Sequence, residues 1–350
     1  MFQLELGRTE LAESFVNMNR KKYKEYFFPI KQDKMKDIKD LFVFTGKANP
    51  ELAKEITDEL GIPLGVMENT RFPDGEIFIK YCQNIRNSHI FLIQPICNPI
   101  NESLMELLIM IDAARRASAS KITAVIPYYA YARQDRKDQP RVPITAKLVA
   151  NLLTVAGATR ILTMDLHAQQ IQGFFDIPVD HLYASPVIVP YLKQKLGDNM
   201  VVVSPDSGGV KMAHAYSEML NAGLAVVSKR RIDACSVESS HLVGEVKDRI
   251  CIMTDDMTTT TGTLVSAANL LKEKGAKEIY AAVSHCLLND IGREKLLSSP
   301  IKELVTTNGI PVKDNCNGKI KVLSIAKLLA RAIRYINKGA SVSSLFNIID

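Results

Sequence analysis

The sequence predicts an α/β protein with two successive, mostly parallel sheets that are flanked by helices. Three observations lead to this prediction. The chain of 350 residues is long enough for two ordinary domains. Short apolar runs alternate with segments of helical spacing, which is the pattern of repeated βα units. The alternation pauses around residues 180–186 and then starts again, so the chain consists of two similar halves.

The first half follows a polar, basic stretch, residues 1–40, which we interpret as an N-terminal extension. Both an amphipathic helix and disorder remain open for this stretch. Apolar runs predict strands at residues 41–46, 89–94, 121–129 and 160–167. Helical spacing predicts helices at residues 50–61, 102–119 and 145–158. We therefore predict an N-terminal domain over residues 41–183.

The second half repeats the pattern. Strands are predicted at residues 200–206, 224–229, 249–255 and 278–285, and helices near 186–196 and at 208–221 and 262–276. This predicts a C-terminal domain over residues 184–337. We expect the C-terminal tail, residues 338–350, to pack on the first domain.

The composition excludes several classes of protein. Hydrophobic residues make up 47% and charged residues 23%, which is typical of a soluble globular enzyme. The net charge of +6 comes from basic residues spread along the chain, so we expect small anionic ligands and no nucleic-acid partner. No run of about 18 apolar residues predicts a membrane span. The N-terminus contains Glu5, Glu10 and Glu13 and no apolar core, which argues against a signal or transit peptide.

The six cysteines form no C-x-x-C pair, which argues against a zinc or thioredoxin motif. We interpret them as reduced thiols, and we therefore expect a cytoplasmic protein.

Six polar clusters follow predicted strands. In parallel α/β sheets, ligands bind beyond the carboxyl ends of the strands. The clusters are FPDGE (72–76), YARQDRKDQPRVP (131–143), MDLHA (164–168), SPDSGG (204–209), SKRR (228–231) and TDDMTTTTGT (254–263). Their convergence on one edge is more informative than any single cluster.

The last cluster combines two acids with a threonine-rich loop that leads into a helix. Backbone N–H groups and hydroxyls at a helix N-terminus suit an anion such as phosphate. Asp255 and Asp256 can each accept hydrogen bonds from the cis-hydroxyls of a ribose. A threonine-rich N-cap beside two solvated acids is the alternative interpretation. The chain contains neither a P-loop nor a dinucleotide-binding fingerprint.

Together with QIQGFFDIPVD and GASVSSLF, these clusters resemble the class I ribose-phosphate pyrophosphokinases over residues 40–350. The threonine-rich loop is similar to the ribose-phosphate loop of type I phosphoribosyltransferases. The resemblance implies two tandem type I phosphoribosyltransferase-like domains. It also implies one reaction, in which ribose 5-phosphate and ATP give phosphoribosyl pyrophosphate and AMP.

The resemblance implies roles for individual residues. His167 and Asp206 match the metal-binding residues, and Mg²⁺ is the expected ion. Lys229 and Arg231 match catalytic residues on a flexible loop, residues 229–241, where they would bind phosphoryl oxygens in the transition state. Without the resemblance, these two residues would indicate only a solvated basic strand end.

The substrate sites follow in the same way. The residues that match ATP-binding positions are Phe72, Asp74, Glu76, Arg133, Gln134 and Asp138. Those that match ribose 5-phosphate-binding positions are Asp255, Asp256, Thr260, Thr261, Gly262 and Thr263. The family also implies a homo-oligomer, expected to be a hexamer, in which FPDGE serves a neighbouring subunit.

Regulation by phosphate and ADP is implied as well. The residues that match the intersubunit regulatory site are Arg86, Lys137, Arg141, Gln172, Asp180, Ser341 and Ser343. Gln169 and His181 depart from the family pattern in this region. Thr259 also departs from it, because it stands where the family usually has an aspartate. A non-catalytic regulatory homologue and a phosphoribosyltransferase therefore remain as alternative hypotheses.

Overall fold

The computed structural model describes residues 41–230 and 239–345. Three segments of the predicted organisation lie outside the described residues, namely 1–40, 231–238 and 346–350. The first part of the described chain contains β1 (Leu41–Thr45), α1 (Pro50–Leu60), β2 (Met67–Arg71), β3 (Ile77–Tyr81), β4 (His89–Ile93), α2 (Ile100–Arg116), β5 (Lys121–Ile126), α3 (Thr145–Ala156), β6 (Arg160–Met164), a 3₁₀ helix (Gln169–Phe174) and β7 (Val179–Leu182).

The second part contains α4 (Ser185–Leu196), β8 (Met200–Ser204), α5 (Val210–Leu220), β9 (Gly223–Arg230), β10 (Ser239–Val243), β11 (Ile250–Thr258), α6 (Gly262–Glu273), β12 (Glu278–Cys286), α7 (Asp290–Ser298), β13 (Glu303–Thr307), β14 (Ile320–Leu323), α8 (Ala326–Lys338) and a short 3₁₀ turn (Ser343–Leu345). No helix in the described part of the chain is long and apolar enough to cross a membrane.

The first sheet has five parallel strands in the order β1-β4-β5-β6-β7. All five residues of β4 are buried, as expected for a strand with helices or other elements on both faces. Between β1 and β4, the chain forms the antiparallel hairpin β2–β3, a separate two-stranded sheet. The sequence patterns did not predict this hairpin, because β2 reads MENTR and has few apolar residues.

The second sheet has seven strands in the order β10-β9-β8-β11-β12-β13-β14. All neighbouring strands are parallel except the edge strand β10, which is antiparallel to β9. The residues at the two ends of the predicted loop 229–241 are therefore strand residues, paired as Ser239 with Arg230 and Ser240 with Lys229.

Local capping explains several helix boundaries. The side chain of Asn49 accepts from the amide of Leu52, Pro50 is the first residue of α1, and Gly61 ends the helix with a φ of 72°. Asn289 caps α7 in the same way, through the amide of Gly292 at 2.8 Å. Nothing in the sequence analysis predicted α7, although its cap is a residue type that favours helix starts.

The predicted α/β class is correct, but three strand ends near the site differ from the prediction. The strands predicted at residues 160–167 and 200–206 end at Met164 and Ser204, so His167 and Asp206 follow β6 and β8. The strand predicted at residues 249–255 continues to Thr258, because β11 remains paired with β12 as far as Cys286. Asp255 and Asp256 therefore lie within β11 and not after it. The rigid backbone of the strand, and not a loop, fixes the positions of both acids.

Candidate active site

The candidate site lies where the second sheet reverses its strand order. From β8 the chain moves outward to β9 and β10, and then returns with β11 on the other side of β8. Ligands of open α/β sheets bind at such a reversal, beyond the carboxyl ends of the strands. Asp206 follows β8, and Asp255 and Asp256 lie near the carboxyl end of β11. Three acids therefore lie at or just beyond the carboxyl ends of the two strands that border the reversal.

The turn after β8 fixes Asp206. Its Oδ1 accepts hydrogen bonds from the amides of Gly208, at 2.8 Å, and Gly209, at 3.1 Å. Its backbone carbonyl accepts from the hydroxyl of Ser204 at 2.6 Å. These bonds occupy one carboxylate oxygen, and no hydrogen bond within the described residues occupies Oδ2.

His167 joins the first sheet to this acid pair. It follows β6, and its Nδ1 lies 2.8 Å from Oδ2 of Asp256 on β11. The amide of Asp256 also donates to Oδ1 of the neighbouring Asp255 at 2.9 Å. The residues that the sequence analysis took from two separate motifs are therefore in direct contact.

The three side chains shift one another's proton affinity. Burial raises the pKa of Asp255 to about 8, and the adjacent charge of Asp256 acts in the same direction. Burial also acts to raise the pKa of Asp256, but the hydrogen bond and charge of His167 outweigh it and lower that pKa. The bond to Asp256 in turn raises the pKa of His167. Asp255 therefore holds its proton to a higher pH than Asp256 does.

The loop that follows β11 rests on α7. The carbonyl oxygens of Thr258 and Thr259 accept from the amides of Leu287, at 2.8 Å, and Asn289, at 3.3 Å. The carbonyl of Thr259 passes so close to Gly292 that a β-carbon on that residue would overlap the oxygen. The loop is therefore fixed by its backbone contacts to the start of α7.

The threonine-rich loop leads directly into the N-terminus of α6. Thr261 has a φ of 54° and is buried, and its hydroxyl donates to the carbonyls of Thr260 and Gly292 at 2.8 and 3.1 Å. Its hydroxyl therefore stabilises the loop, so only its backbone is available to an anion. The amides of Gly262 and Thr263 belong to the first turn of α6 and have no acceptor within the helix.

Lys295 on α7 adds a positive charge beside this turn. Its Nζ lies 4.0 Å from the position that a β-carbon on Gly262 would occupy. The carbonyl of Lys295 accepts from the hydroxyl of Ser298 at 3.2 Å, but among the described residues its ammonium group has no hydrogen-bond or ion-pair partner. The sequence analysis missed Lys295, because it had not predicted α7.

The tip of the β2–β3 hairpin carries the residues that match an adenine site. Phe72 is 50% exposed and contacts Phe78 edge to face, with the ring centroids 5.6 Å apart. Asp74 and Glu76 are exposed, and Oδ1 of Asp74 accepts from the amide of Glu76. The tip therefore presents an aromatic face and two acids to the outside of the subunit.

Arg71 holds this tip in place. Its guanidinium donates to the carbonyl of Gly75 at 2.8 Å and forms an ion pair with Glu102 on α2. Neither the hairpin nor this anchor could be derived from the FPDGE motif, which alone indicates a turn.

The loop after β5 brings further charges to His167. Arg133 is exposed, and its charge lowers the pKa of His167, whereas Asp135 raises it. Gln134 accepts from the hydroxyl of Thr145 at 2.5 Å, which ties the loop to α3. Asp138 is exposed on the same loop. Of the two predicted catalytic residues, Lys229 lies on β9 and Arg231 lies outside the described residues.

Comparison with known proteins agrees with this geometry. Residues 41–157 match the family model for the N-terminal domain of ribose phosphate pyrophosphokinase, and residues 236–347 match the phosphoribosyl synthetase-associated domain. The ribose-phosphate pyrophosphokinase of Caldanaerobacter subterraneus subsp. tengcongensis is 53% identical over 308 residues, which are 87% of this chain and 98% of that protein. The chain belongs to the ribose-phosphate pyrophosphokinase family.

Other pyrophosphokinases give the same result. Ribose-phosphate pyrophosphokinase A of Dictyostelium discoideum is 50% identical over 87% of this chain and 97% of that protein. The crystal structure of phosphoribosylpyrophosphate synthetase from Mycobacterium smegmatis matches with a TM-score of 0.82 at 43% identity, over 86% of this chain and all of that chain. The predicted family is confirmed, and so is the predicted α/β class with mostly parallel sheets flanked by helices.

The site has suitable donors for the Mg²⁺ ion that the pyrophosphokinase family implies. If Nδ1 of His167 carries the hydrogen and donates it to Asp256, Nε2 keeps a free lone pair. Asp206 offers Oδ2, since Oδ1 already accepts two amides. Among the described residues, no three acidic, cysteine or histidine side chains form a metal cage. Nε2 of His167 and Oδ2 of Asp206 would nevertheless suit a Mg²⁺ ion whose other ligands are oxygens of phosphate and water.

The residues that match the regulatory site lie in several places. Asp180 on β7 forms an ion pair with Arg160 at 2.6 Å, and Gln172 lies 3.3 Å from the ring of His181. The hydroxyls of Ser341 and Ser343 are 2.7 Å apart. Arg86 lines a cavity of about 470 Å³ together with residues of β3 and α2. Lys137 and Arg141 are exposed on the loop after β5. The assignment of these residues stays a prediction.

Proposed function

We propose that this chain transfers the pyrophosphoryl group of ATP to the anomeric hydroxyl of ribose 5-phosphate. The anomeric oxygen attacks the β-phosphorus and loses its proton to solvent. The bond from the β-phosphorus to the oxygen that bridges it to the α-phosphorus breaks, and AMP leaves with that oxygen. The observation that carries the proposal is the contact of His167 with Asp256, which joins a strand end of the first sheet to the acid pair of the second.

The sugar phosphate fits the segment from Asp255 to Thr263. The carboxyl oxygens of both acids can accept hydrogen bonds from two adjacent hydroxyls. The raised pKa of Asp255 favours its protonated form, which can also donate. The 5-phosphate would bind the amides of Gly262 and Thr263 and the hydroxyls of Thr260 and Thr263. The position of Lys295 next to Gly262 supports a negatively charged group here.

ATP would bind from the side of the hairpin tip and the loop after β5. Phe72 is exposed and can stack on adenine, and Asp74 and Glu76 can accept from its amino edge. Arg133 and Gln134 would reach the nucleotide. We assign charge stabilisation of the transferring group to Lys229 and Arg231, in line with the general requirement for fixed cations in phosphoryl transfer.

His167 and Asp206 would hold Mg²⁺, which supplies charge neutralisation on the phosphate oxygens when it is bound. The hydrogen bond that Nδ1 of His167 donates to Asp256 fixes the ring, so its Nε2 is oriented before a ligand arrives. The two glycine amides hold the carboxylate of Asp206 in the same way.

We also propose a homohexamer in the cytoplasm, activated by phosphate. The five cysteines within the described residues, Cys82, Cys97, Cys251, Cys286 and Cys316, are free thiols, which supports a reducing compartment. The FPDGE tip points to the outside of the subunit with Phe72 half exposed, which supports a site completed by a second copy.

The decisive experiment measures AMP formation from ATP, with and without ribose 5-phosphate, in Mg²⁺ and phosphate. Sugar-dependent AMP is the expected result. Lys229→Ala should then abolish turnover without changing the oligomeric state. A folded, oligomeric protein that makes no AMP would contradict the proposal and favour a regulatory homologue. Thr259→Asp would next test whether the residue at this position of the loop is the cause.

A further inference from the structure

Asp165 is a buried carboxylate that the proposed chemistry does not use. It follows β6, two residues before His167, and only 5% of it is exposed. Its φ of 39° lies in the left-handed region, which costs free energy for a residue with a side chain. Its amide donates to the carbonyl of Leu182 at 3.0 Å. Both the left-handed backbone and the buried carboxylate cost free energy, so we expect the contacts of Asp165 to offset that cost.

One oxygen of Asp165 joins three segments of the fold. Oδ2 accepts from the hydroxyl of Ser284 on β12 at 2.5 Å, and from the amide of Ala184 at 2.8 Å. Ala184 lies in the connection between the two sheets. Bonds to a carboxylate in a buried place are stronger than neutral ones. The end of β6 is therefore fixed both to the second sheet and to the connection.

Ser284 is itself held by a neighbouring strand. Its carbonyl accepts from the hydroxyl of Thr307 on β13 at 2.8 Å. Ser284 is 2% exposed. The partner of Asp165 therefore belongs to the rigid centre of the second sheet.

Two further contacts lie beside the bond between Asp165 and Ser284. Nε2 of His285 lies 3.1 Å from the carbonyl of Met164, and His167 contacts Asp256 at 2.8 Å. In the register of β11 and β12, Asp255 pairs with Val283 and Met257 pairs with His285, so Asp256 lies opposite Ser284. The bond of Asp165 is thus one strand away from the bond of His167, and both bonds join the same two sheets.

We propose that Asp165 and Ser284 form a positioning pair that sets the distance between His167 and the acid pair. The inference rests on the proposed function, because that distance aligns the groups that bind ATP with those that bind the sugar. Pyrophosphoryl transfer needs the attacking oxygen and the phosphorus aligned, and a displacement of about 1 Å costs about 100-fold in rate. Neither residue touches a substrate in this proposal.

The first test is Ser284→Ala in the full-length protein. Because each substrate binds mainly to its own sheet, the Kd of ATP alone and of ribose 5-phosphate alone should change less than about threefold. The kcat should fall about 10- to 100-fold, since only the alignment is lost. Ser284→Thr keeps the hydroxyl and should restore most of the kcat. Ser284→Cys, with a weak donor of similar size, should be intermediate and also serves if the alanine variant does not fold.

Ser217→Ala is the matched control. Ser217 is equally buried, and its hydroxyl donates to the carbonyl of His214 within α5, so no bond between sheets is lost. The kcat of this variant should match the wild type. An unchanged kcat in Ser284→Ala, or equal losses in kcat and in both Kd values with a large fall in Tm, would overturn the proposal.

A second measurement does not depend on activity. In ¹⁵N-histidine NMR spectra at fixed pH, the Nδ1 signal of His167 should move in Ser284→Ala and stay in place in Ser217→Ala. If the wild type formed no AMP, the proposed function would fail, while this signal would still report on the geometry of the pair. An unmoved signal in Ser284→Ala contradicts the positioning role.

Discussion

Nδ1 of His167 and Oδ2 of Asp256 lie 2.8 Å apart, although 89 residues separate them in the sequence. His167 follows a strand of the first sheet, and Asp256 lies within a strand of the second. This bond turns two separate motifs into one site. It fixes the ring orientation of the histidine and leaves its Nε2 for a ligand. The acid and the histidine therefore act as a unit, and a change in either should affect the other.

Asp256→Asn tests this unit. Loss of the charge and the strong acceptor should lower the pKa of His167 toward its ordinary value, because the bond to Asp256 is the main cause of its increase. The kcat should fall by about 100-fold, as for other residues that orient a ligand. NMR titration of His167 and steady-state kinetics measure the two effects. Asp112→Asn, which changes an exposed acid paired with Arg115 and Arg116, is the control. An unchanged pKa would show that the bond is absent in solution.

Gly292→Ala should disturb the threonine-rich loop that follows β11 from outside the site. The new methyl group would overlap the carbonyl oxygen of Thr259, so the loop must shift. Overpacking of this kind costs roughly 1–3 kcal/mol. We expect about a tenfold rise in the KM of ribose 5-phosphate and little change in the Kd of ATP. Gly173→Ala is the control, because nothing lies within 4 Å of that position. Equal KM values in both variants would contradict the close packing.

Lys295→Met should weaken binding of the sugar phosphate. The ammonium group lies beside Gly262, and charge-assisted bonds to phosphate contribute about 1.5–3 kcal/mol when they form. Because Lys295 is exposed, we expect the lower part of that range, about a tenfold rise in KM, with a smaller effect at high salt. Lys272→Met, at the other end of α6, should leave KM unchanged. A KM that is insensitive to both substitutions would remove Lys295 from the site.

Acid should destabilise the protein through His181. Burial lowers the pKa of this residue to about 4, and its Nε2 accepts from the amide of Leu166 at 2.9 Å, which requires the neutral ring. The unfolded state therefore binds the proton first as the pH falls. Stability is fully present above about pH 6.5 and declines toward pH 4, by as much as about 3 kcal/mol for this one group.

Urea unfolding at pH 7.5 and pH 5 measures this decline. In His181→Gln the loss between the two pH values should be smaller than in the wild type. Some loss of stability between the two pH values should remain in the variant, because burial also lowers the pKa of His89 to about 4. An identical pH dependence in the wild type and in the variant would show that His181 is protonated in the folded state.

The sequence indicated a candidate site at the acid pair and the threonine-rich loop because their signals are local. An apolar strand, two acids, four threonines and Gly262 are contiguous, and each residue type has a direct chemical meaning. The bond between Asp165 and Ser284 has no such signal, since 119 residues separate its partners. Asp165 belongs to the MDLHA cluster, but Ser284 belongs to no recognisable motif. Lys295 was missed for a related reason, because only the packing of α7 beside α6 places its ammonium group near Gly262.

The β2–β3 hairpin shows a different limit of the sequence analysis. Its tip, FPDGE, has clear turn chemistry, but β2 is polar and partly exposed, so the periodicity that reveals buried strands is absent. Edge hairpins of this kind gain their order from contacts such as that of Arg71 with Glu102. Their existence depends on tertiary structure more than on local preference.

Only two residues separate the last strand of the first sheet from helix α4, which leads to the second sheet. Strand β7 ends at Leu182 and α4 begins at Ser185, so Tyr183 and Ala184 form this turn, and the amide of Ala184 is already bonded to Asp165. A turn of two residues does not tolerate a chain break or an insertion without a change in its backbone contacts. Attempts to split the gene here, to insert a reporter, or to exchange one half with that of a relative should break the Asp165 contact, so chimeras of this enzyme are better joined elsewhere.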